Sequence, residues 1–235
     1  IRPTEGVVIP LTGNLAIAQN VYAGKTALPN GTSQWITSVD ARLDGHRFRA
    51  QACCILTGIG TVKEDDPQMN VRGIDTPRQP LKVLIDSFLE VPLEAKILHH
   101  EEAGNTVVVC GNAEPHHLAT MTQKLREKNI PVIPLPEENG KGKVDLHALM
   151  QHLATHLHIN EVHVEAGHKL NGSLLQAGCV DELLIYMAPR LMGEGYGFAH
   201  LPVLYSLDET SHWRFIEQTM VGNDLRIRLI NTHSE

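Results

Sequence analysis

Aromatic residues are scarce in this chain of 235 residues, where phenylalanine, tryptophan and tyrosine together make up 4%. So few rings argue against an aromatic stacking platform for single-stranded nucleic acid. A basic excess is missing as well, because the formal net charge is −7. That sign disfavours a nucleic-acid polymer or an anionic membrane as the partner. Apolar residues still make up 42% of the chain, which is enough to bury a core.

Several targeting and redox signals are also missing. No apolar run approaches the roughly 18 residues that span a bilayer, and residues 1–20 lack the pattern of a secretion signal. No pair of the four cysteines has the C-x-x-C spacing of a zinc or thiol-redox site. We therefore expect a cytoplasmic protein with free thiols and no contact with a membrane.

The order of the segments predicts the fold class. Short β-branched runs such as Leu81–Ile85 and Thr106–Cys110 alternate with helical stretches, which is typical of an α/β three-layer domain with a mostly parallel sheet. Two runs flanking Gly222-Asn223-Asp224 predict a C-terminal antiparallel hairpin. We expect one domain over residues 1–235, with residues 1–14 as a lead-in and a first strand at Leu15–Gln19. Helices are expected near 38–51, 114–128, 145–158 and 169–177.

Ligands of open α/β sheets bind beyond the carboxyl ends of the strands, and two such ends are unusual here. The first is Gly58-Ile59-Gly60, followed by Thr61 and Asp65. It does not match a dinucleotide-binding fingerprint, and we expect a tight strand-to-loop turn there. The second runs from Glu165 through Gly167 into a helix that begins at Lys169. It is either an anion site or an ordinary strand–helix connection.

A basic island interrupts the acidic chain. Between Arg42 and Lys82, seven basic residues face five acidic ones, so the segment carries +2 and the remainder −9. Arg49 is expected late in a helix, and Arg72 after a strand-like stretch at Met69–Val71. Two arginines near one loop suit a phosphate, although each alone is more often a solvated surface residue. This island favours a small anionic ligand over a polymer.

A metal site has little support. His152 and His156 stand four apart on a predicted helix, but no cysteine or carboxylate completes a familiar ligand set. We expect a solvent-exposed helix face there and no bound metal.

Taken together, the motifs resemble the reductase domain of the bacterial riboflavin-biosynthesis deaminase/reductase. The resemblance covers residues from about 24 to the C-terminus. It is carried by motifs in order: Thr32-Ser33-Gln34-Trp35, Arg47-Phe48-Arg49-Ala50-Gln51, Ile55 through Val62 with Asp65-Asp66-Pro67, Val71-Arg72, Ile85-Asp86-Ser87, Val164-Glu165-Ala166-Gly167 and Leu170-Asn171-Gly172-Ser173. The combination of Trp35, Arg49, Thr61, Asp65 and Arg72 is specific, whereas no single piece is.

The resemblance implies a dihydrofolate-reductase-like three-layer α/β/α fold with a mostly parallel mixed sheet. It also implies NADPH-dependent reduction of 5-amino-6-(5-phosphoribosylamino)uracil, a small phosphorylated substrate, at its ribosyl group. The implied substrate-binding residues are Ser33, Arg49, Met69, Arg72 and Glu165, with the two arginines chiefly on the phosphate. The implied NADPH-binding residues are Trp35, Thr61, Asp65, Ser87, Gly167, His168, Lys169, Leu170, Asn171, Gly172 and Ser173. Asp65 is also the carboxylate expected to assist a proton transfer.

The chain departs from the family pattern in two places. Its stretch from Leu15 to Gly24 lacks the lysine and aspartate usual before Lys25-Thr26-Ala27, and His168 stands where a proline is usual. Two alternatives therefore stay open: a related NADPH reductase with another substrate, and a degenerate, non-catalytic reductase domain. The resemblance further implies a homodimer. For the companion deaminase domain two expectations stay open: this chain is a stand-alone reductase, or it is part of a longer product that carries the deaminase domain outside this chain.

Overall fold

A computed structural model describes residues 10–11, 25–27, 36–99, 105–138, 142–190, 193–206 and 210–232. The expected strand Leu15–Gln19 lies outside these residues, as do Ser33 and Trp35.

The described residues form a nine-stranded mixed sheet with the order β10-β11-β8-β1-β7-β3-β4-β5-β6. Seven neighbouring strands, from β8 to β6, pair in parallel, and the hairpin of β10 and β11 adds two antiparallel strands to β8. A small second sheet pairs β2 with β9. The mostly parallel sheet with a C-terminal hairpin is thus confirmed. The strands are β1 Pro10–Leu11, β2 Lys25–Ala27, β3 Cys54–Gly58, β4 Leu81–Ile85, β5 Thr106–Cys110, β6 Val132–Pro134, β7 Val162–Val164, β8 Glu182–Met187, β9 Tyr196–Gly197, β10 Trp213–Val221 and β11 Asp224–Asn231.

Five α-helices connect the strands, and three of them begin at a side-chain cap. Ser38, Glu114 and Asp145 accept hydrogen bonds from backbone N–H groups that the first turn of a helix leaves unpaired. The helices are α1 Val39–Gln51, α2 Ile59–Asp65, α3 Pro115–Glu127, α4 Leu146–His156 and α5 His168–Gln176, and a 3₁₀ turn covers Lys96–Leu98. All four predicted helices are confirmed to within two residues at each end. None of the helices in the described ranges is long and apolar enough to cross a membrane.

Successive side chains of a strand point to opposite faces of the sheet, so the apolar core has one part on each face. One face packs Leu149 and Leu153 of α4 and Leu174 of α5 onto apolar strand residues. The opposite face packs Met121 and Leu125 of α3 onto a second apolar cluster. Helix α1 packs beside it on Leu184 and Tyr186 of β8. Helices therefore cover both faces of the sheet, which gives the three expected layers.

Three local expectations differ from the structure. The turn expected after Gly58 is the two-turn helix α2, since Thr61 to Asp65 continue it where a loop was expected. Met69–Val71 forms no strand: Met69 has a positive φ of 49°, and both backbone groups of Val71 bond to the Gln79 side chain. Within the segment expected as a lead-in, Pro10 and Leu11 form β1 between β7 and β8.

The C-terminal hairpin is tied to α1 through buried charges. Asp224 accepts a hydrogen bond from the Ser38 backbone N–H at 2.7 Å. Asp44, which is 5% exposed, accepts from Tyr186 Oη and Arg226 Nη1, both at 2.7 Å. Helix α1 is therefore held in place by residues that lie more than a hundred positions away.

Helix α5 lies against the segment that follows β9. The Asn171 side chain donates to the carbonyls of Ala166 and Phe198, and the His200 backbone N–H donates to the His168 carbonyl. A Cβ added at Gly172 would lie 2.0 Å from the His200 carbonyl oxygen. Only a glycine allows this close approach of helix and segment.

We predict that Gly172→Ala destabilises the fold. The new methyl group must push backbone atoms apart, and overpacking of this kind costs about 1–3 kcal/mol. Gly45→Ala in α1 is the matched control, because a Cβ there meets nothing within 4 Å; it should stabilise by about 0.5–1 kcal/mol. Urea unfolding of both variants measures the difference, and equal stability would contradict the packing seen here.

Candidate active site

The carboxyl ends of three neighbouring parallel strands meet at one edge of the sheet. Strands β7, β3 and β4 are adjacent, with Leu56 paired to Val164 and Gly58 paired to Ile85. Beyond these ends lie Glu165 with α5, the start of α2, and Asp86-Ser87. The two unusual strand ends of the sequence are therefore neighbours in space.

A buried ion pair joins α1 to this edge. The Nε of Arg49 donates to Oε1 of Glu165, and its Nη2 donates to Oε2 at 2.5 Å. The two side chains are only 13% and 10% exposed. Burial alone would raise the pKa of Glu165, but the charge and hydrogen bonds of Arg49 outweigh it and the pKa is lowered. Glu165 is therefore held ionised, and most of the Arg49 fork is occupied.

Two histidines that no sequence motif indicated complete this cluster. His163 Nε2 lies 3.1 Å from Glu165 Oε1, and His46 Nδ1 accepts the Arg72 backbone N–H at 3.2 Å. Burial, followed by the nearby charges of Arg49 and Arg72, lowers the pKa of His46 to about 4. A positional signal existed for both: His46 precedes Arg49 by three positions on a helix, and His163 precedes Glu165 by two on a strand.

The segment from Met69 to Arg72 lies beside the ion pair. The Asn70 carbonyl accepts a hydrogen bond from Arg49 Nη1 at 2.9 Å, and the neighbouring Met69 is buried. Arg72 is exposed, and its Nη1 donates to the side chains of Gln68 and Asn70 at 2.9 and 2.7 Å. The structure thus brings Arg49, Met69, Arg72 and Glu165 together, with Arg72 as the more accessible arginine.

The predicted cofactor run divides by its surroundings. Gly167 and Lys169 are exposed at the start of α5, and His168 stacks on Tyr196 with 4.8 Å between ring centres. Leu170 packs into the core and Ser173 donates to the carbonyl of Lys169. Asn171 and Gly172 are packed against the segment after β9. A ligand can therefore reach only the first three residues of the run, Gly167, His168 and Lys169.

Three further predicted cofactor residues follow the ends of β3 and β4, namely Thr61, Asp65 and Ser87, while Trp35 lies outside the described residues. A Cβ built on Gly167 would lie 3.9 Å from Thr61 Oγ1, which places the starts of α2 and α5 side by side. Asp65 is exposed at the last residue of α2, and Ser87 is half-buried just beyond β4.

Unpaired polar atoms also gather here. Within the described ranges, four buried side-chain atoms have no hydrogen-bond partner: Thr57 Oγ1, Asp86 Oδ1, His163 Nδ1 and Asn171 Oδ1. All four belong to β3, β7, the residue after β4 or the first turn of α5. Buried polar groups are normally satisfied, so such a concentration is typical of a functional edge. No three His, Cys, Asp or Glu side chains in these ranges are placed to hold a metal ion.

Comparison with known proteins identifies the family. The family described as RibD C-terminal domain matches residues 23–225. This chain belongs to that family.

Relatives of this RibD C-terminal domain are similar to it in sequence and in fold. It is 36% identical over 222 residues to the riboflavin biosynthesis protein RibD of Escherichia coli, covering 88% of this chain and 56% of the relative. A solved structure of Acinetobacter baumannii RibD is 31% identical, with a TM-score of 0.77 over 97% of this chain and 59% of that chain. The chain thus spans about half the length of the RibD proteins it matches.

A shorter relative matches almost from end to end. The 5-amino-6-(5-phosphoribosylamino)uracil reductase of Buchnera aphidicola is 29% identical over 213 residues, covering 85% of this chain and 97% of that protein.

We predict that Glu165→Gln destabilises this RibD C-terminal domain at pH 7, because it leaves the buried charge of Arg49 unpaired. Removing one partner of a buried ion pair costs about 3–5 kcal/mol. The pKa of Glu165 is lowered on folding, so the stabilisation is complete above its unfolded value of roughly 4.3. It disappears as the pH falls through the lower, folded pKa.

The measurement is the free energy of unfolding against pH for the wild type and the variant. The two curves should converge in acid, where the wild-type carboxyl is protonated as well. Glu94→Gln, at an exposed carboxyl, is the control and should change little. A constant gap down to acid pH would show that the ion pair is not its source.

Proposed function

We propose that this chain is a single reductase domain, residues 1–235, acting in riboflavin biosynthesis. It would use NADPH to reduce the ribosyl group of 5-amino-6-(5-phosphoribosylamino)uracil to the ribityl form. The observation that carries the proposal is the match along 97% of the Buchnera reductase, which links this half of the RibD proteins to that reaction. Family membership over residues 23–225 supports it.

On the substrate side, we assign the phosphate chiefly to Arg72. Arginine is always charged and its planar fork suits phosphate oxygens. The Arg72 guanidinium is exposed and bonded only to neutral side-chain oxygens among the described residues. Arg49 donates hydrogen bonds to both oxygens of Glu165 and to the Asn70 carbonyl. Its main role in substrate binding is therefore to hold the Glu165 carboxylate beside the substrate.

On the cofactor side, the start of α5 is the place for an anionic group. Its first turn leaves backbone N–H groups unpaired, and Lys169 adds a positive charge next to them. The unpartnered side-chain oxygen of Asn171, which lies in this first turn, fits a site that a polar ligand completes. Thr61, Asp65 and Ser87 surround the same edge, and Trp35 is assigned to it from the family pattern alone.

The reaction requires no metal in this scheme. Bound NADPH would supply a hydride for the first carbon of the opened sugar. The protein's part is to fix the two anionic ligands at the shared carboxyl edge of β7, β3 and β4, which brings donor and acceptor together. Asp65, exposed at the end of α2, is the carboxylate proposed to assist a proton transfer.

We also propose that the domain acts as a homodimer and that a deaminase domain accompanies it outside this chain. The support for the second point is that RibD relatives are almost twice as long as the matched part.

The proposal is tested by mixing the chain with NADPH and 5-amino-6-(5-phosphoribosylamino)uracil while following NADPH absorbance and identifying the ribityl product. Oxidation coupled to that product is the expected result. NADPH binding without turnover would favour a reductase with another substrate. Absence of NADPH binding would favour a degenerate domain.

We predict that Arg72→Ala raises KM for the uracil substrate by about 10- to 100-fold, because a hydrogen bond to a charged group contributes about 1.5–3 kcal/mol. KM for NADPH should stay unchanged. Arg78→Ala, another exposed arginine of the basic island, is the matched control and should leave both values unaltered. An equal rise in both KM values for Arg72→Ala would mean that the two pockets are reversed.

We predict that Asp65→Asn lowers kcat by about a hundredfold while NADPH binding persists, since general acid–base groups contribute factors of this order. Cofactor fluorescence titration and steady-state kinetics check the two halves of this statement. Near-normal turnover with intact NADPH binding would remove Asp65 from the proton transfer.

A further inference from the structure

His163 is a buried histidine to which the proposed reaction assigns no role. It lies on β7 with 0% of its surface exposed, two residues before Glu165, so both side chains leave the same face of the chain. Its Nε2 lies 3.1 Å from Glu165 Oε1. Its Nδ1 is buried and has no hydrogen-bond partner within the described part of the chain.

The surroundings determine which ring nitrogen carries the proton. Burial lowers the pKa of His163 to about 4 although the Glu165 charge opposes it, and the Arg49 charge on α1 adds to the lowering, as does His46 where it is protonated. The ring is therefore neutral at neutral pH and has a single N–H. Because the ionised Glu165 carboxylate can only accept, the proton must lie on Nε2, where it donates to Oε1.

This donation distinguishes the two oxygens of Glu165. Oε1 receives Arg49 Nε and His163 Nε2, whereas Oε2 receives Arg49 Nη2 alone among the described residues. A carboxylate oxygen accepts about two hydrogen bonds. Oε1 is therefore saturated, and Oε2 keeps one acceptor position for a ligand.

We propose that His163 is a positioning residue that fixes Oε1 of Glu165, so that Oε2 accepts a sugar hydroxyl of the phosphoribosyl substrate. This inference rests on the proposed function. The unpartnered Nδ1 supports it, since an apolar side chain of similar size would fill the same space without leaving a buried acceptor unsatisfied. Packing alone does not explain an imidazole at this position. The need for an N–H that donates to Oε1 of Glu165 explains it.

The test compares two substitutions at this one position. His163→Leu fills the space without a donor, while His163→Gln carries an amide N–H at about the reach of Nε2. We expect His163→Leu to raise KM for the uracil substrate about tenfold, with a smaller change in kcat and none in KM for NADPH. His163→Gln should stay within about threefold of the wild type.

Other patterns overturn the proposal. Equal loss in both variants would show a purely structural role, and no loss in either would show that the donor is unnecessary. Thermal unfolding verifies that each variant is folded. If His163→Leu does not fold, His163→Met, which is also apolar and more flexible, replaces it with the same expected result.

A second measurement is independent of turnover. Ring nitrogen chemical shifts of His163 in the free wild-type protein, recorded by NMR at about pH 6, should show a neutral ring protonated at Nε2. A ring protonated at Nδ1 would overturn the inference even in an active enzyme. A wild-type protein without turnover would overturn the proposed function, while the shifts would still report on this hydrogen bond.

Discussion

The ion pair of Arg49 and Glu165 is the interaction on which the arrangement of this edge depends. Two charges buried to this degree lose most of their hydration, and only good geometry offsets that loss. The pair meets this condition with two parallel N–H···O bonds and a further bond from Arg49 to the Asn70 carbonyl. One contact therefore fixes α1 against β7 and also fixes the loop that carries Arg72.

The ion pair also explains why the core is divided on this face of the sheet. The apolar cluster under α3 and the smaller one under α1 are separate. The polar side chains of His163, on β7, and Glu165, just after it, lie between them, since β7 stands between β1 and β3 in the sheet. Apolar residues at these positions would join the two clusters into one. Beneath helix α1, the polar side chains of His163, Glu165 and Arg49 instead separate the two clusters, and they lie next to the carboxyl ends of the strands.

The sequence was most informative where structure is local. Ser38, Glu114 and Asp145 each begin a helix close to its predicted start, because capping and periodicity involve only a few neighbouring residues. The prediction was wrong at Met69–Val71, a strand-like stretch in which the Gln79 side chain, and no neighbouring strand of the described ranges, pairs with the backbone of Val71. Arg49 and Glu165 are 116 positions apart, so only the family resemblance placed both in one site, and no spacing rule predicted that they pair directly. His163 appeared to be an ordinary strand residue until its neighbour was seen to be a paired carboxylate.

The attachment of the C-terminal hairpin to α1 has a consequence for the order in which the protein is made. Ser38 and Asp44 near the start of α1 bond to Asp224 and Arg226, which leave the ribosome 180 or more residues later. Contacts of such long range cannot form until β11 has left the ribosome, and they slow folding because a long loop must close first. The helix that carries Arg49 therefore obtains its final support only when β11 has entered the sheet. A nascent chain that stops before this strand has the residues of the candidate active site but lacks the charges that hold helix α1 in place.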